Sequence, residues 1–188
     1  EPFKSDSYQK IFDLKKKPSK GVDTEKEKGK KKRMDLESVK KYLEGDEDEK
    51  AKEPMVAKLP HRFLERFVTN GLKVDLIEPG RIVCSMKIPP HLLNAGKFLH
   101  GGATATLVDL IGSAVIYTAG ASHSGVSVEI NVSYLDAAFL DEEIEIESKA
   151  LRVGKAVAVV SVELRKKTTG KIIAQGRHTK YFAPRSNL

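Results

Sequence analysis

The chain has 188 residues, 40% of them hydrophobic and none of them tryptophan, which predicts one domain with a modest core. Its 33 basic and 26 acidic side chains give a formal charge of +7. No run of roughly 18 apolar residues lacks a polar break, so no membrane-spanning helix is expected. The lone cysteine, Cys84, cannot form an internal disulfide, which fits a reducing compartment.

Residues 1–57 differ in composition from the rest of the chain. Basic clusters at 15–17 and 30–33 are followed by acidic residues at 46–49. Such a segment buries too little apolar surface to offset its ordering entropy, so we expect a disordered tail and a folded domain over residues 58–188. The basic clusters lack interleaved aromatic residues, and no nucleic-acid partner is predicted.

The first part of the domain predicts a short helix and a hairpin. Residues 61–70 carry apolar side chains at helical spacing and stop at a glycine, Gly71. Residues 72–77 and 81–88 follow as strand-like runs, joined by a Pro-Gly turn. Two prolines then end the second strand, because proline cannot donate to a ladder.

The most informative segment is the loop at residues 94–102, which leads into an apolar helix at 103–119. The loop holds an amide, an imidazole and two glycines, and its last residues are His100, Gly101 and Gly102. The glycines leave backbone N–H groups bare at the positive end of the helix, where an oxyanion could be held. Asp109 lies two turns further on among apolar residues, where a carboxylate is costly unless paired or used.

After the helix the hydrophobic period changes from 3.6 to 2. In Val126–Tyr134, strict alternation places the valines, Ile130 and Tyr134 on one face, with Ser127 on the polar face. Strand patterns recur at 143–150, 156–164 and 171–182. The sequence therefore predicts an α+β fold in which an antiparallel sheet wraps one central helix. A helix apolar nearly all round also points to a partner subunit.

These residues carry a family resemblance. The amide of Asn94, the His100-Gly101-Gly102 string, Asp109 and Ser127 are spaced as in the hotdog-fold acyl-CoA thioesterases of the PaaI-like branch. The segments at 152–155 and 175–180 are similar to the same proteins, and the resemblance covers roughly residues 60–182. It implies an acyl-CoA hydrolase with a hotdog fold, a homodimer that pairs again into a homotetramer, and a role in fatty-acid metabolism.

The resemblance also implies catalytic roles. The backbone N–H of Gly101 would polarise the thioester carbonyl, and Asn94 and His100 would orient the loop and the substrate or water. Asp109 would come from the facing subunit, either as nucleophile or as general base. Ser127, also from the facing subunit, would hydrogen-bond the attacking water or the carboxylate. Substrate hydrolysis would then need the dimer.

Coenzyme A is expected as part of the substrate, and no separate cofactor is expected. Arg152 and Lys155 bracket Gly154 at a turn that matches the nucleotide-binding position of the family, and phosphates need such cations. Tyr134 and Tyr181 are further binding candidates carried over from the family. The remaining histidines, at 61, 91, 123 and 178, are interpreted as structural or exposed, and no spacing suggests a metal site.

Two alternatives stay open. A hotdog protein can also be a dehydratase or a non-hydrolytic acyl-CoA sensor, although a carboxylate after His-Gly-Gly favours hydrolysis. For location, Ser186-Asn187-Leu188 resembles the peroxisomal Ser-Lys-Leu address with one departure, so a peroxisomal protein is expected, with the cytoplasm as the alternative.

Overall fold

The computed structural model describes residues 61–182, which hold the helices and strands expected from the sequence. The tail at 1–57 and the tripeptide at 186–188 lie outside these residues, so the predictions made for them stay predictions. None of the described helices is both long and apolar enough to cross a membrane.

The elements follow one another along the chain much as predicted. A short helix, a hairpin, a single 3-10 turn, a long helix and four strands occur in that order: α1 (Phe63–Thr69), β1 (Lys73–Glu78), β2 (Arg81–Lys87), the 3-10 turn (Pro90–Leu92), α2 (Gly101–Thr118), β3 (Val126–Tyr134), β4 (Glu143–Val153), β5 (Val157–Lys166) and β6 (Ile172–Tyr181).

The strands form one six-stranded antiparallel sheet in the order β1-β2-β4-β5-β6-β3. The alternation predicted for β4 is observed, because Ile144 and Ile146 are fully buried beneath α2 while their neighbours face the other side. Sheet and helix together enclose one hydrophobic core. This is the predicted α+β arrangement of a sheet wrapped on one helix, the hotdog fold.

Helix α2 packs closely against the sheet at two glycines, Gly112 on the helix and Gly176 on β6. A Cβ at Gly176 on β6 would stand 2.6 Å from Val108 Cγ1, and one at Gly112 would stand 3.1 Å from His178 Nδ1. Most of the helix surface that faces the sheet is buried, whereas Thr106, Asp109 and Ser113 are half-exposed. Asp109 and Ser113 lie along the edge of the helix that contacts β3 and β6. The exposed part of the helix is therefore less uniformly apolar than its sequence suggested.

Strand β3 departs from the predicted alternation at one residue. Ser127 pairs with Lys180 and Glu129 pairs with Thr179, so Val128 is an extra residue in a β-bulge. In a bulge, two residues of one strand lie opposite a single residue of the partner strand. The residues before the bulge therefore point to the opposite faces from those that strict alternation predicts. The prediction that Ser127 shares the polar face is therefore wrong: it points to the helix side, as does Ile130.

Candidate active site

The loop before α2 is held together by the side chain of Asn94. Its Oδ1 accepts hydrogen bonds from the N–H groups of Gly96 at 2.9 Å and Phe98 at 3.3 Å. The Asn94 backbone closes the same turn with Phe98 O and Lys97 N, each at 2.9 Å. The amide thus fixes the shape of the loop that leads to the helix, and within residues 61–182 no hydrogen bond uses its NH2 group.

His100 caps the N-terminus of α2. Its Nδ1 accepts from the N–H of Gly102 at 2.8 Å, and its carbonyl accepts from Thr104 N at 3.0 Å. Within the described residues no hydrogen bond uses the N–H of Gly101. A free N–H at the positive end of an 18-residue helix is a ready donor to an oxyanion.

A mostly apolar cavity of about 230 Å³ lies beside that donor. Phe98, Leu99 and Tyr134 contribute to its wall together with Gly101 itself. The hydroxyl of Tyr134 donates to the carbonyl of Gly101 at 3.1 Å, which ties the far end of β3 to the start of the helix. The cavity therefore offers an apolar chain or thioester a place next to the Gly101 N–H.

Asp109 forms a separate cluster. Its Oδ1 accepts from the hydroxyls of Ser127 at 3.3 Å and Ser113 at 3.4 Å, and its side chain keeps 40% of its surface exposed in the single chain. The structure thus brings Asp109 and Ser127 together, as predicted for residues of one subunit. The β-bulge at Val128 makes this contact, because it turns Ser127 toward α2.

Two residues of β6 complete the cluster, and neither was predicted from the sequence to be functional. His178 is fully buried, with Nε2 at 2.9 Å from Ser127 Oγ and 3.5 Å from Asp109 Oδ1. Lys180 is 5% exposed, and its Nζ lies 2.7 Å from Ser113 Oγ and 3.3 Å from Ser127 Oγ. Period-2 spacing was the available signal, since it puts both on the face of buried Ala174.

Burial shifts the pKa of both groups. Desolvation, followed by the charge of Lys180, lowers the pKa of His178, and the charge of Asp109 only partly opposes this. Desolvation likewise lowers the pKa of Lys180, against the opposing charge of Asp109. The imidazole is therefore held in its neutral form at neutral pH.

The tautomer of His178 follows from its surroundings. Nδ1 is buried and finds no hydrogen-bond partner among the described residues, whereas Nε2 faces Ser127 Oγ. Burying an unpaired N–H costs more than burying an unpaired lone pair, so we assign the proton to Nε2. Ser127 Oγ then accepts from His178 and Lys180 and donates to Asp109, which uses all of its hydrogen-bonding capacity.

The coenzyme A candidates separate into two groups. Arg152 is the second-last residue of β4. Gly154 and Lys155 lie in the turn to β5 and line a second cavity of about 230 Å³. Tyr181 pairs with Val157 beside that turn, whereas Tyr134 lies at the opposite end of β3. The first group is thus at the Ser127 end of the sheet and Tyr134 is at the Gly101 end.

The catalytic candidates are divided in the same way. Asp109 follows Gly101 by eight residues on one helix, so a rise of 1.5 Å per residue separates them by about 12 Å. A nucleophile and a carbonyl-polarising donor must both reach one carbonyl within about 3–3.5 Å. The candidate residues of one chain therefore fall into two separate groups, the Gly101 half-site and the Asp109 half-site.

Cys84 offers no alternative nucleophile. The thiol is buried in β2, and desolvation together with the charge of Asp75 raises its pKa to about 11. A thiol with this pKa carries almost no thiolate at neutral pH, so the residue acts as part of the core.

Comparison with known proteins agrees with the fold. The family model of the thioesterase superfamily matches residues 96–173. Human acyl-coenzyme A thioesterase 13 is 45% identical over 112 residues, which cover 58% of this chain and 80% of the human protein.

Solved structures give the same result. Thioesterase superfamily member 2 from zebrafish superposes with a TM-score of 0.62 at 36% identity, covering 79% of this chain and 98% of that one. The mouse thioesterase superfamily member 2 superposes with a TM-score of 0.60 at 40% identity, covering 64% and 89%. The chain therefore belongs to the hotdog-fold acyl-CoA thioesterases of the thioesterase superfamily.

Proposed function

We propose that this thioester hydrolase cleaves acyl-CoA to a free acid and coenzyme A at a site assembled from two copies of the chain. Gly101 of one protomer and Asp109 of its partner would act on the same thioester carbonyl. The observation that carries the proposal is the separation of about 12 Å between these residues within one chain, which is too long for them to share a substrate.

The free edge of the sheet supports this assembly. β3 is an edge strand, and Val126 and Val128 are 58% and 60% exposed on it. An exposed apolar edge strand is a template for pairing with another chain. Antiparallel pairing of β3 with a second β3 about a two-fold axis would bring opposite strand ends together, and with them the two half-sites.

The chemistry follows from the polar groups in each half-site. The Gly101 N–H would stabilise the developing oxyanion with the helix dipole behind it, while Asn94 and His100 keep the loop in shape. Asp109 would either attack the carbonyl carbon and form a mixed anhydride, which water then hydrolyses to the free acid, or take a proton from a water that attacks the carbonyl carbon directly. Both routes expel the thiolate of coenzyme A. Ser127 acts on the carboxylate, since its hydroxyl proton is directed to Asp109 Oδ1.

The basic turn after β4 would bind the nucleotide part of coenzyme A. Arg152 and Lys155 are exposed and offer two cations to phosphates, and Gly154 lets the backbone come close. Tyr181 neighbours that turn. In a dimer, Tyr134 of the other protomer would approach the same substrate from the Gly101 side.

Three further expectations remain proposals. The resemblance to the family supports a homotetramer built from two such dimers and a role in fatty-acid metabolism. A peroxisomal location, with the cytoplasm as the alternative, rests on residues 186–188, which lie outside the described residues.

The shared site is tested by complementation between two inactive variants. Asp109→Asn should keep the fold and lower kcat on acyl-CoA at least about a hundredfold, because it removes one main catalytic group. The double variant Asn94→Ala/His100→Ala impairs the other half-site. Co-expressed with different affinity tags and purified as the heterodimer, the two chains should recover about half of the wild-type rate, since one of two sites is intact.

The controls decide what a failure means. Each variant purified alone must stay impaired, and a thiol-trapping reagent must detect coenzyme A release by the wild type. A heterodimer no more active than its parents would contradict the shared site. Wild-type protein that binds acyl-CoA without releasing thiol would instead identify a sensor.

A further inference from the structure

We propose that Lys180 is a positioning residue of the thioesterase: it fixes the hydroxyls of Ser113 and Ser127 so that both donate to one oxygen of Asp109. The other carboxylate oxygen is then left for water and substrate. This inference rests on the proposed function, since it takes Asp109 as the group that acts at the thioester.

The geometry begins with a buried amino group between two serines. Lys180 is 5% exposed, and its Nζ lies 2.7 Å from Ser113 Oγ and 3.3 Å from Ser127 Oγ. The two serines come from different elements, the helix α2 and the strand β3. Lys180 is thus a cross-link between the elements that carry Asp109 and Ser127.

Hydrogen-bond accounting then gives the direction of each bond. An amino group donates here, so both serine oxygens act as acceptors toward Nζ. Each serine keeps one proton, and the nearest acceptor for it is Asp109 Oδ1, at 3.4 Å from Ser113 and 3.3 Å from Ser127. Within residues 61–182, no hydrogen bond to Oδ2 is found. The carboxylate therefore presents that oxygen.

A lysine at this position needs an explanation beyond packing. Lysine is almost never buried unless paired, since its amino group loses hydration. The described residues give Nζ no direct salt bridge, only the two hydroxyls. A methionine would fill the space without that cost, so the amino group is better explained by what it does to the serines.

The test compares Lys180→Met with Lys149→Met. Lys149 pairs with Glu147 on the outer side of the sheet, away from Asp109, and controls for the loss of a lysine. We expect Lys180→Met to lower kcat on acyl-CoA by about tenfold to a hundredfold, because small misplacement of a reacting group is costly. KM and Tm should stay close to wild type, and Lys149→Met should retain wild-type kcat.

Ser113→Ala gives a second, independent measurement that does not depend on a buried lysine site. Ser113→Ala should also lower kcat. In the Ser113→Ala background, Lys180→Met should reduce kcat by a smaller factor than it does in the wild type, because the two residues act through one hydrogen-bond network. A purely structural Lys180 would lower Tm and leave kcat of the folded enzyme unchanged.

The outcomes separate this inference from the proposed function. Unchanged kcat in Lys180→Met, or strictly additive losses in the double variant, would overturn the positioning role while Asp109→Asn remains inactive. Should Lys180→Met not fold, unchanged kcat in Ser113→Ala would overturn it. Full activity in Asp109→Asn would instead remove the proposed function.

Discussion

At the scale of single residues, the burial of His178 makes the stability of the fold depend on pH. The imidazole is fully buried between α2 and the sheet, and desolvation lowers its pKa below the ordinary value of 6.5. The unfolded chain therefore binds a proton at His178 at a higher pH than the folded chain does. Stability from this residue is complete above pH 6.5 and is lost as the pH falls toward the folded-state pKa.

We predict that His178→Gln weakens the fall in stability between pH 7 and pH 5. One proton taken up only on unfolding contributes a slope of at most about 1.4 kcal/mol per pH unit, and glutamine takes up none. Glutamine also keeps a donor near Ser127 Oγ. Urea unfolding at several pH values measures the slope, and His91→Gln, at an exposed histidine, is the matched control.

The pH range in which stability is lost distinguishes the effect of His178 from that of the buried carboxylate of Glu147. Burial raises the pKa of Glu147. Hydrogen bonds from Lys149, Arg81 and Arg165 and the charge of Lys149 outweigh this effect and lower the pKa to about 2. Its contribution is lost only as the pH falls from 4.5 toward 2. Equal slopes in wild type and His178→Gln between pH 7 and pH 5 would show that the imidazole is not held neutral.

At the scale of elements, the distance between helix and sheet depends on Gly176. A Cβ there would stand 2.6 Å from Val108 Cγ1, a side chain that is itself fully buried. Real Cβ atoms do not approach so closely, so the Val108 side chain, the helix or the strand must shift. Because α2 carries Asp109 and Ser113, and β6 carries His178 and Lys180, such movement would also disturb the cluster at the carboxylate.

We predict that Gly176→Ala destabilises the protein by about 1–3 kcal/mol through overpacking. Chemical denaturation measures the change. Val108→Ala removes the side chain that the new methyl group meets, so the double variant should lose less stability than the two single losses add up to. Strict additivity would mean that Val108 is not the obstacle.

The sequence was sufficient for the elements because their periodicity is local. Helix α2 was expected from residue 103 and begins at Gly101, and β3 spans Val126–Tyr134 as predicted. The face of Ser127 was not predictable, because a bulge depends on pairing with β6 and Val128 gives no local signal for it. His178 was missed for the same reason: its contact with Ser127 joins residues 51 positions apart.

At the scale of the whole molecule, the sheet formed by residues 61–182 has two edge strands, β3 and β1. β3 exposes Val126 and Val128, and β1 at the other edge exposes Ile77 at 61%. Only the β3 edge lies next to both half-sites, since Tyr134 at one of its ends contacts Gly101 and Ser127 near the other contacts Asp109. Activity should therefore depend on the β3 edge and not on the β1 edge.

We predict that Val128→Glu yields a monomer with almost no hydrolysis, whereas Ile77→Glu stays oligomeric and active. Val128 lies on the exposed edge that would pair, and a charged side chain on an edge strand opposes the addition of another strand. Light scattering at micromolar concentration gives the oligomeric state, and coenzyme A release gives the activity of the same samples.

Circular dichroism must first show that the Val128→Glu monomer keeps the fold, so that lost activity reflects lost assembly. A folded, fully active Val128→Glu monomer would contradict the site shared between subunits, and loss of the oligomer in Ile77→Glu alone would move the interface to the β1 edge.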